Sequence, residues 1–194
     1  MINQKGQTLL EIVFVLAIVI IALLGILGLI MSNIAGTKVS KTRIIASNLA
    51  REGVEVIRQI RDTNWLALER WDEHLTNQLD DQTAIVVFSP ENNTWQLDFA
   101  PNDLPDAGTI IYLDMLTGIY QQATELILTG QPTAYRRLIT LNEICSNGDF
   151  KPTGETCDEV VNGKVGLKVT SEVQWQEKGQ VLSAVVEDWL YNWR

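Results

Sequence analysis

The chain has 194 residues, enough for one domain plus an anchor, and it is acidic, with 15 Lys and Arg against 24 Asp and Glu. An acidic surface repels a phosphate backbone, so nucleic acid is not an expected partner. One histidine, His74, and two cysteines, Cys145 and Cys157, are too few for a zinc site of Cys and His, and a Cys–His nucleophilic pair has no local signature here.

The first element in chain order is apolar. Ile12 to Met31 is an unbroken run of 20 residues without charge, amide or hydroxyl. As a helix it would be about 30 Å long, the thickness of a bilayer's hydrocarbon core. A cleaved secretory signal has an apolar core of about 7–15 residues and a small-residue cleavage site; this run is longer, and Asn33-Ile34-Ala35 fits that site poorly. Glu11 abuts the run. Its carboxylate either reaches the headgroup interface or sits in hydrocarbon, where it costs a few kcal/mol unless paired. Lys5 precedes the run, whereas Lys38, Lys41 and Arg43 follow it. That asymmetry alone would place the following segment in the cytoplasm.

From Thr37 to Ile60 the pattern is helical, with Ile45, Leu49, Val56 and Ile60 near a 3.6-residue interval. Arg51 with Glu55, and Glu55 with Arg58, are spaced to meet on one face. The apolar helix is expected to run into this amphipathic stem as one helix of about 50 residues, with Thr63-Asn64 as its stop. The stem is basic: Lys38, Lys41, Arg43, Arg51, Arg58 and Arg61 stand against Glu52 and Glu55, while 21 acidic and eight basic residues follow Arg61. Two solvated surfaces would look like this. So would a positive face that meets anionic headgroups or a neighbour's acidic head.

Leu66 to Leu79 reads as a loop or short helix. Strands follow at Ala84–Phe88 and Trp95–Phe99, flanking the turn signal Pro90-Glu91-Asn92-Asn93. Thr109–Leu113 with Gly118–Gln122 form a weaker pair. Tyr135–Ile144 and Gly166–Trp175 alternate, and Gln180–Trp193 is apolar and aromatic, joined to the preceding strand through Glu177-Lys178-Gly179. The expected fold is α+β: a long helix against an antiparallel sheet. The six Trp read as core and edge packing, with an exposed subset serving as a ligand platform as the alternative. Cys145 and Cys157 bracket a polar, turn-rich stretch. Asp80-Asp81 reads as a surface pair rather than a calcium site. No Walker loop, dinucleotide-binding glycine pattern, His metal motif or G-x-S-x-G occurs, so neither catalytic residues nor a metal or cofactor is expected.

Lys5-Gly6-Gln7-Thr8-Leu9-Leu10-Glu11 ahead of a wholly apolar helix resembles the prepilin processing site of type IV pilins and type II secretion pseudopilins. The resemblance implies that a membrane aspartyl peptidase cuts between Gly6 and Gln7 and N-methylates Gln7. It also implies that Glu11 pairs with the N-terminal amine of an adjacent subunit. Two charges unfavourable alone in lipid would then neutralise each other on assembly, and removing one would leave the other buried and unpaired. The family's usual first mature residue is Phe. Gln7 departs from it, which bears on methylation more than on cleavage. Where many major pilins carry a helix-breaking Pro, this chain has Gly28, with Gly25 one turn earlier; glycine weakens a helix or lets helices pack closely.

Ala46-Ser47-Asn48-Leu49-Ala50-Arg51-Glu52-Gly53-Val54-Glu55 and Ile60-Arg61-Asp62-Thr63-Asn64-Trp65 look like the stem of minor pilins of the pilus-modification type. Val173-Gln174-Trp175 and Trp189-Leu190-Tyr191-Asn192-Trp193-Arg194 look like the end of that group's head. The implied organisation is a leader over 1–6, a transmembrane and assembly helix over 7–35, an amphipathic stem over 36–64 and a β-rich head over 65–194. The head would lie outside the cytoplasm, opposite to the charge asymmetry. There, Cys145 and Cys157 would form a disulfide, the alternative being two free thiols. The expected protein is a non-catalytic minor pilin, single-pass in the inner membrane before assembly and part of a surface pilus afterwards. Its partners would be other pilin subunits, the prepilin peptidase, the assembly machinery and the membrane. The alternatives are a pseudopilin of a secretion or DNA-uptake system and, in another class, a monomeric membrane-anchored binding module or adhesin.

Overall fold

A computed structural model describes residues 4–76, 82–90, 92–101, 103–122, 130–152, 155–158 and 160–192, with side chains from Leu9 onward. Met1 to Asn3, the Asp80-Asp81 pair, Glu91 of the predicted turn, and Trp193 and Arg194 of the predicted tail lie outside the described residues. Two compact units divide the chain, Met1–Ile44 and Ile45–Arg194.

A single helix, α1 (Gln4–Ala67), spans 64 residues. In the first unit it passes through Gly25, Gly28 and Gly36 without a break, and a Cβ at any of them would meet open space. Thr37 and Thr42 return their hydroxyls to the carbonyls of Asn33 and Val39, both at 2.9 Å. Each thereby satisfies its own hydroxyl on the helix.

The second unit holds the rest of α1 and an antiparallel sheet, an α+β arrangement. Its strands are β1 (Thr83–Ser89), β2 (Thr94–Asp98), β3 (Ile110–Asp114), β4 (Tyr120–Gln121), β5 (Gly130–Cys145), β6 (Lys164–Glu177) and β7 (Gln180–Tyr191). The long strand β5 is central. One edge pairs with β6 from Tyr135 to Cys145, and β6 pairs with β7 along its whole length. The other edge is shared end to end. β1 occupies Ile139 and Thr140, and β3 occupies Gly130 to Arg136. Beyond these, β2 pairs with β1 and β4 with β3.

Sequence signals account for most of this. The β6–β7 connection is the two-residue loop Lys178-Gly179, with both φ positive (51° and 80°). A type I′ turn requires that sign at both positions, and its twist matches the flanking strands. Along β6 the odd residues Leu167, Val169, Ser171, Val173 and Trp175 are buried. Along β7 the even residues turn inward and the odd ones outward. A strand with one packed face has this period of two.

Two expectations shift. β5 begins at Gly130, five residues before the predicted Tyr135. Gly130-Gln131-Pro132-Thr133 neither alternates nor suits a strand, because Pro cannot donate to the ladder. The register against β3 shifts between Ile110 and Tyr112, and there the Thr133 hydroxyl donates to the Ile111 carbonyl at 2.7 Å. The helix also runs past the predicted stop at Thr63-Asn64. Asn64 sends its side-chain amide onward to the carbonyls of Trp71 (3.2 Å) and Glu73 (2.7 Å), so it does not compete with the helix backbone. The end comes at Leu68, with φ of 60°. The Leu68 N–H donates to Trp65 O and the Glu69 N–H to Asn64 O, the bond pattern of a Schellman cap.

The core lies between the inward face of α1 and the sheet. Val54, Ile57 and Ile60 pack with Val86, Ile139, Leu141, Leu167, Val169 and Leu190. Nearer Ile45, the residues Ala46, Leu49 and Ala50 pack with Ile111, Tyr135, Val173 and Trp175. The tryptophans divide. Trp65, Trp71 and Trp175 are buried, whereas Trp189 is half exposed on the outer face of β7.

Candidate functional site

Every Leu, Ile, Val, Phe and Met from Leu9 to Met31 is exposed, and no residue in the apolar window of α1 is buried. Covering one such side chain contributes about 1.5–3 kcal/mol. An apolar surface this long is not stable against water and demands lipid or another protein. The segment is long and apolar enough to cross a membrane. Glu11 stands exposed at its start, and the next charged residue is Lys38. Gly6 and Gln7 fall within the first turns of α1.

In the second unit, α1 is seated on the sheet by small residues and one buried cation. A Cβ on Gly53 would stand 2.6 Å from Ser171 Oγ, 2.7 Å from Ile139 Cδ1 and 3.3 Å from Arg137 Cδ. Only glycine allows this approach. Arg137, 1 % exposed, enters the space beside it and donates to the Leu49 carbonyl on α1 (3.0 Å) and to Gln122 Oε1 (2.9 Å). Glu52 lies 3.6 Å from the same guanidinium. Burial pulls the Arg137 pKa down and the Glu52 charge pushes it back up; an arginine keeps its proton in either case. Gln122 in turn donates to the Thr109 and Arg137 carbonyls (2.9 and 2.8 Å). A second attachment joins Arg58 of α1 to Asp188 of β7 at 2.6 Å, with Glu55 on the same guanidinium.

A charged cluster fixes the chain beyond the helix. Asp72, 2 % exposed, pairs with Lys164 of β6 and with Arg70. Lys164 also pairs with Glu143 of β5 (3.2 Å), and Glu143 accepts the Cys157 N–H (2.8 Å). Burial alone would raise the Asp72 carboxyl. The hydrogen bond and charge of Lys164, aided by Arg70, outweigh it and hold the group below the usual carboxylate range. Cys145 and Cys157 form a disulfide, with S–S at 2.03 Å and Cα–Cα at 5.6 Å.

Comparison with protein-family models, with characterised proteins and with solved structures finds no match. The structure brings Cys145 and Cys157 together, exposes Glu11 at the edge of the apolar surface with no partner among the described residues, and places Gly6 and Gln7 on the same helix. Sequence reasoning missed Arg137 and Asp72. Arg137 had a signal: it holds an inward position on β5 between Tyr135 and Ile139, where an apolar residue belongs. Asp72, in an irregular segment, had none.

Proposed function

We propose that the chain is a minor pilin-like subunit, processed between Gly6 and Gln7, held in a membrane by α1, and assembled laterally through that helix into a filament. The observation that carries this reading is the isolation of Glu11. It is the only charged residue of the sequence between Lys5 and Lys38, it stands exposed at the start of the apolar run, and it lies five residues beyond Gly6, in register with the prepilin motif. A carboxylate there is unfavourable in lipid by a few kcal/mol, and the new amine of a neighbour's processed end would offset that cost. A basic stem and an acidic head fit the side-by-side packing of copies. The disulfide fits an oxidising compartment for the head.

Intact mass of the mature protein tests processing. Loss of residues 1–6 is the expected result; a full-length mature chain favours a simple membrane-anchored binding module. Glu11→Ala tests assembly: incorporation into filaments should be lost while the head stays folded and its disulfide intact. Normal incorporation of this variant would overturn the proposed role of Glu11.

A further inference from the structure

In the second unit, a cavity of about 680 Å³ opens between the last turns of α1, the segment after it and β2. That volume lies within the usual range of small-molecule sites. Ile60, Trp95, Leu97 and Phe99 give it an apolar side, two of them aliphatic and two aromatic, with Trp95, Leu97 and Phe99 partly buried against the core. Gln59, Glu69, His74 and Gln96 also line it, and among the described residues none of their side chains makes a hydrogen bond or ion pair. The walls are held from behind. Asn64 ties Trp71 and Glu73 to α1, the Leu68 cap fixes the exit of Glu69, and β2 is in full register with β1 from Ile85 to Ser89.

We infer that this cavity is a binding site for an uncharged saccharide of one or two rings. The chemistry of the lining selects that class. No Lys or Arg is among the described lining residues, and Glu69 with the acidic head repels an anionic ligand. A purely aliphatic ligand would bury the two amides and the carboxylate without partners, at about 1–3 kcal/mol each. A sugar ring presents apolar C–H faces to flat aromatic rings such as Trp95 and Phe99. Its hydroxyls, each donor and acceptor, match amides that do both and a carboxylate that accepts. The inference stands independently of polymerisation, because every residue in it belongs to the second unit.

The test uses the full chain in lipid nanodiscs free of glycolipid. Saturation-transfer NMR is run with glucose, galactose, N-acetylglucosamine, N-acetylgalactosamine and their β-linked disaccharides. At least one should receive saturation at its ring protons, with an affinity lowered at least tenfold by Trp95→Ala and by Glu69→Gln. Trp189→Ala, on the outer face of β7, should leave it unchanged. Glu69 is exposed, so its substitution keeps the comparison valid should the Trp95 variant misfold. The inference is overturned by three results: no saccharide binding at about 10 mM, a Kd far above any useful affinity; binding indifferent to Glu69→Gln; or binding only of an extended peptide along β2.

Discussion

Gly53 is where α1 comes nearest the sheet, and the residues around it make a coupled set. Adding a methyl group there forces Ser171 and Ile139 aside in a packed interior, which costs about 1–3 kcal/mol, against roughly 1 kcal/mol gained from the better helix propensity of Ala. Gly53→Ala should therefore lower stability by up to about 2 kcal/mol, read as a drop in the urea midpoint at constant slope. Ser171 Oγ is buried and has no hydrogen-bond partner among the described residues. Ser171→Ala should be neutral or raise stability by about 1 kcal/mol. Combined with Gly53→Ala, it should recover part of the loss, and additive effects would show that the two sites do not touch. Arg137→Ala strands Gln122 Oε1 and leaves a void under the helix, and about 2–3 kcal/mol should be lost.

At the scale of elements, the disulfide and the Asp72 cluster set the behaviour of the segments that are neither helix nor strand. Reduction opens the loop between Cys145 and Cys157. The cost should be about 2–4 kcal/mol, measured as the difference between denaturant midpoints with and without reductant. Asp72 binds its proton less readily folded than unfolded. Its contribution is therefore full above the ordinary carboxylate value of 3.8 and fades as the pH falls through the lower folded value. Asp72→Asn should lose about 1–3 kcal/mol at pH 7, and its deficit against the parent should shrink below pH 4. A deficit constant with pH would show that the charge of Asp72 is not what matters.

The elements also show what a sequence displays and what it hides. The apolar half of α1 was legible because one physical property is repeated without interruption from Ile12 to Met31. The β6–β7 hairpin was legible because Lys178-Gly179 carries its own turn chemistry. The start of β5 was hidden behind Pro132, whose pairing is rescued by a hydroxyl on the next residue. The end of α1 was hidden because a leucine, Leu68, adopts the left-handed conformation that glycine usually marks. The proposal for Gly6 and Glu11 rests on a local pattern in the sequence. The Arg137 grip on Leu49 joins residues 88 positions apart, and no local signal encodes that distance.

For the whole molecule, uneven charge is the property most open to experiment. If assembly draws on basic stems meeting acidic heads, raising salt from low to physiological strength should weaken filament association, because the Debye length shrinks to about 8 Å. Association indifferent to salt would leave the apolar helix as the entire driving force. The outer face of β7 adds Val181, Val185, Trp189 and Tyr191, all exposed, on a strand that among the described residues pairs with β6 alone. An edge of this kind pairs readily with other chains, so isolated heads should self-associate more than heads whose β7 carries Val185→Lys.

The attachments of α1 to the sheet also have a mechanical meaning. Arg137 holds Leu49 from β5, and Arg58 holds Asp188 on β7. A pull along the helix axis reaches these two grips at points nine residues apart on α1, about 13 Å by helical rise, and on different strands. They share the load in shear instead of being peeled open one after the other. Resistance to such a pull is a matter of unfolding rate rather than equilibrium stability. Loosening either grip should thus shorten the lifetime of the head under tension, beyond what its loss of resting stability alone would give.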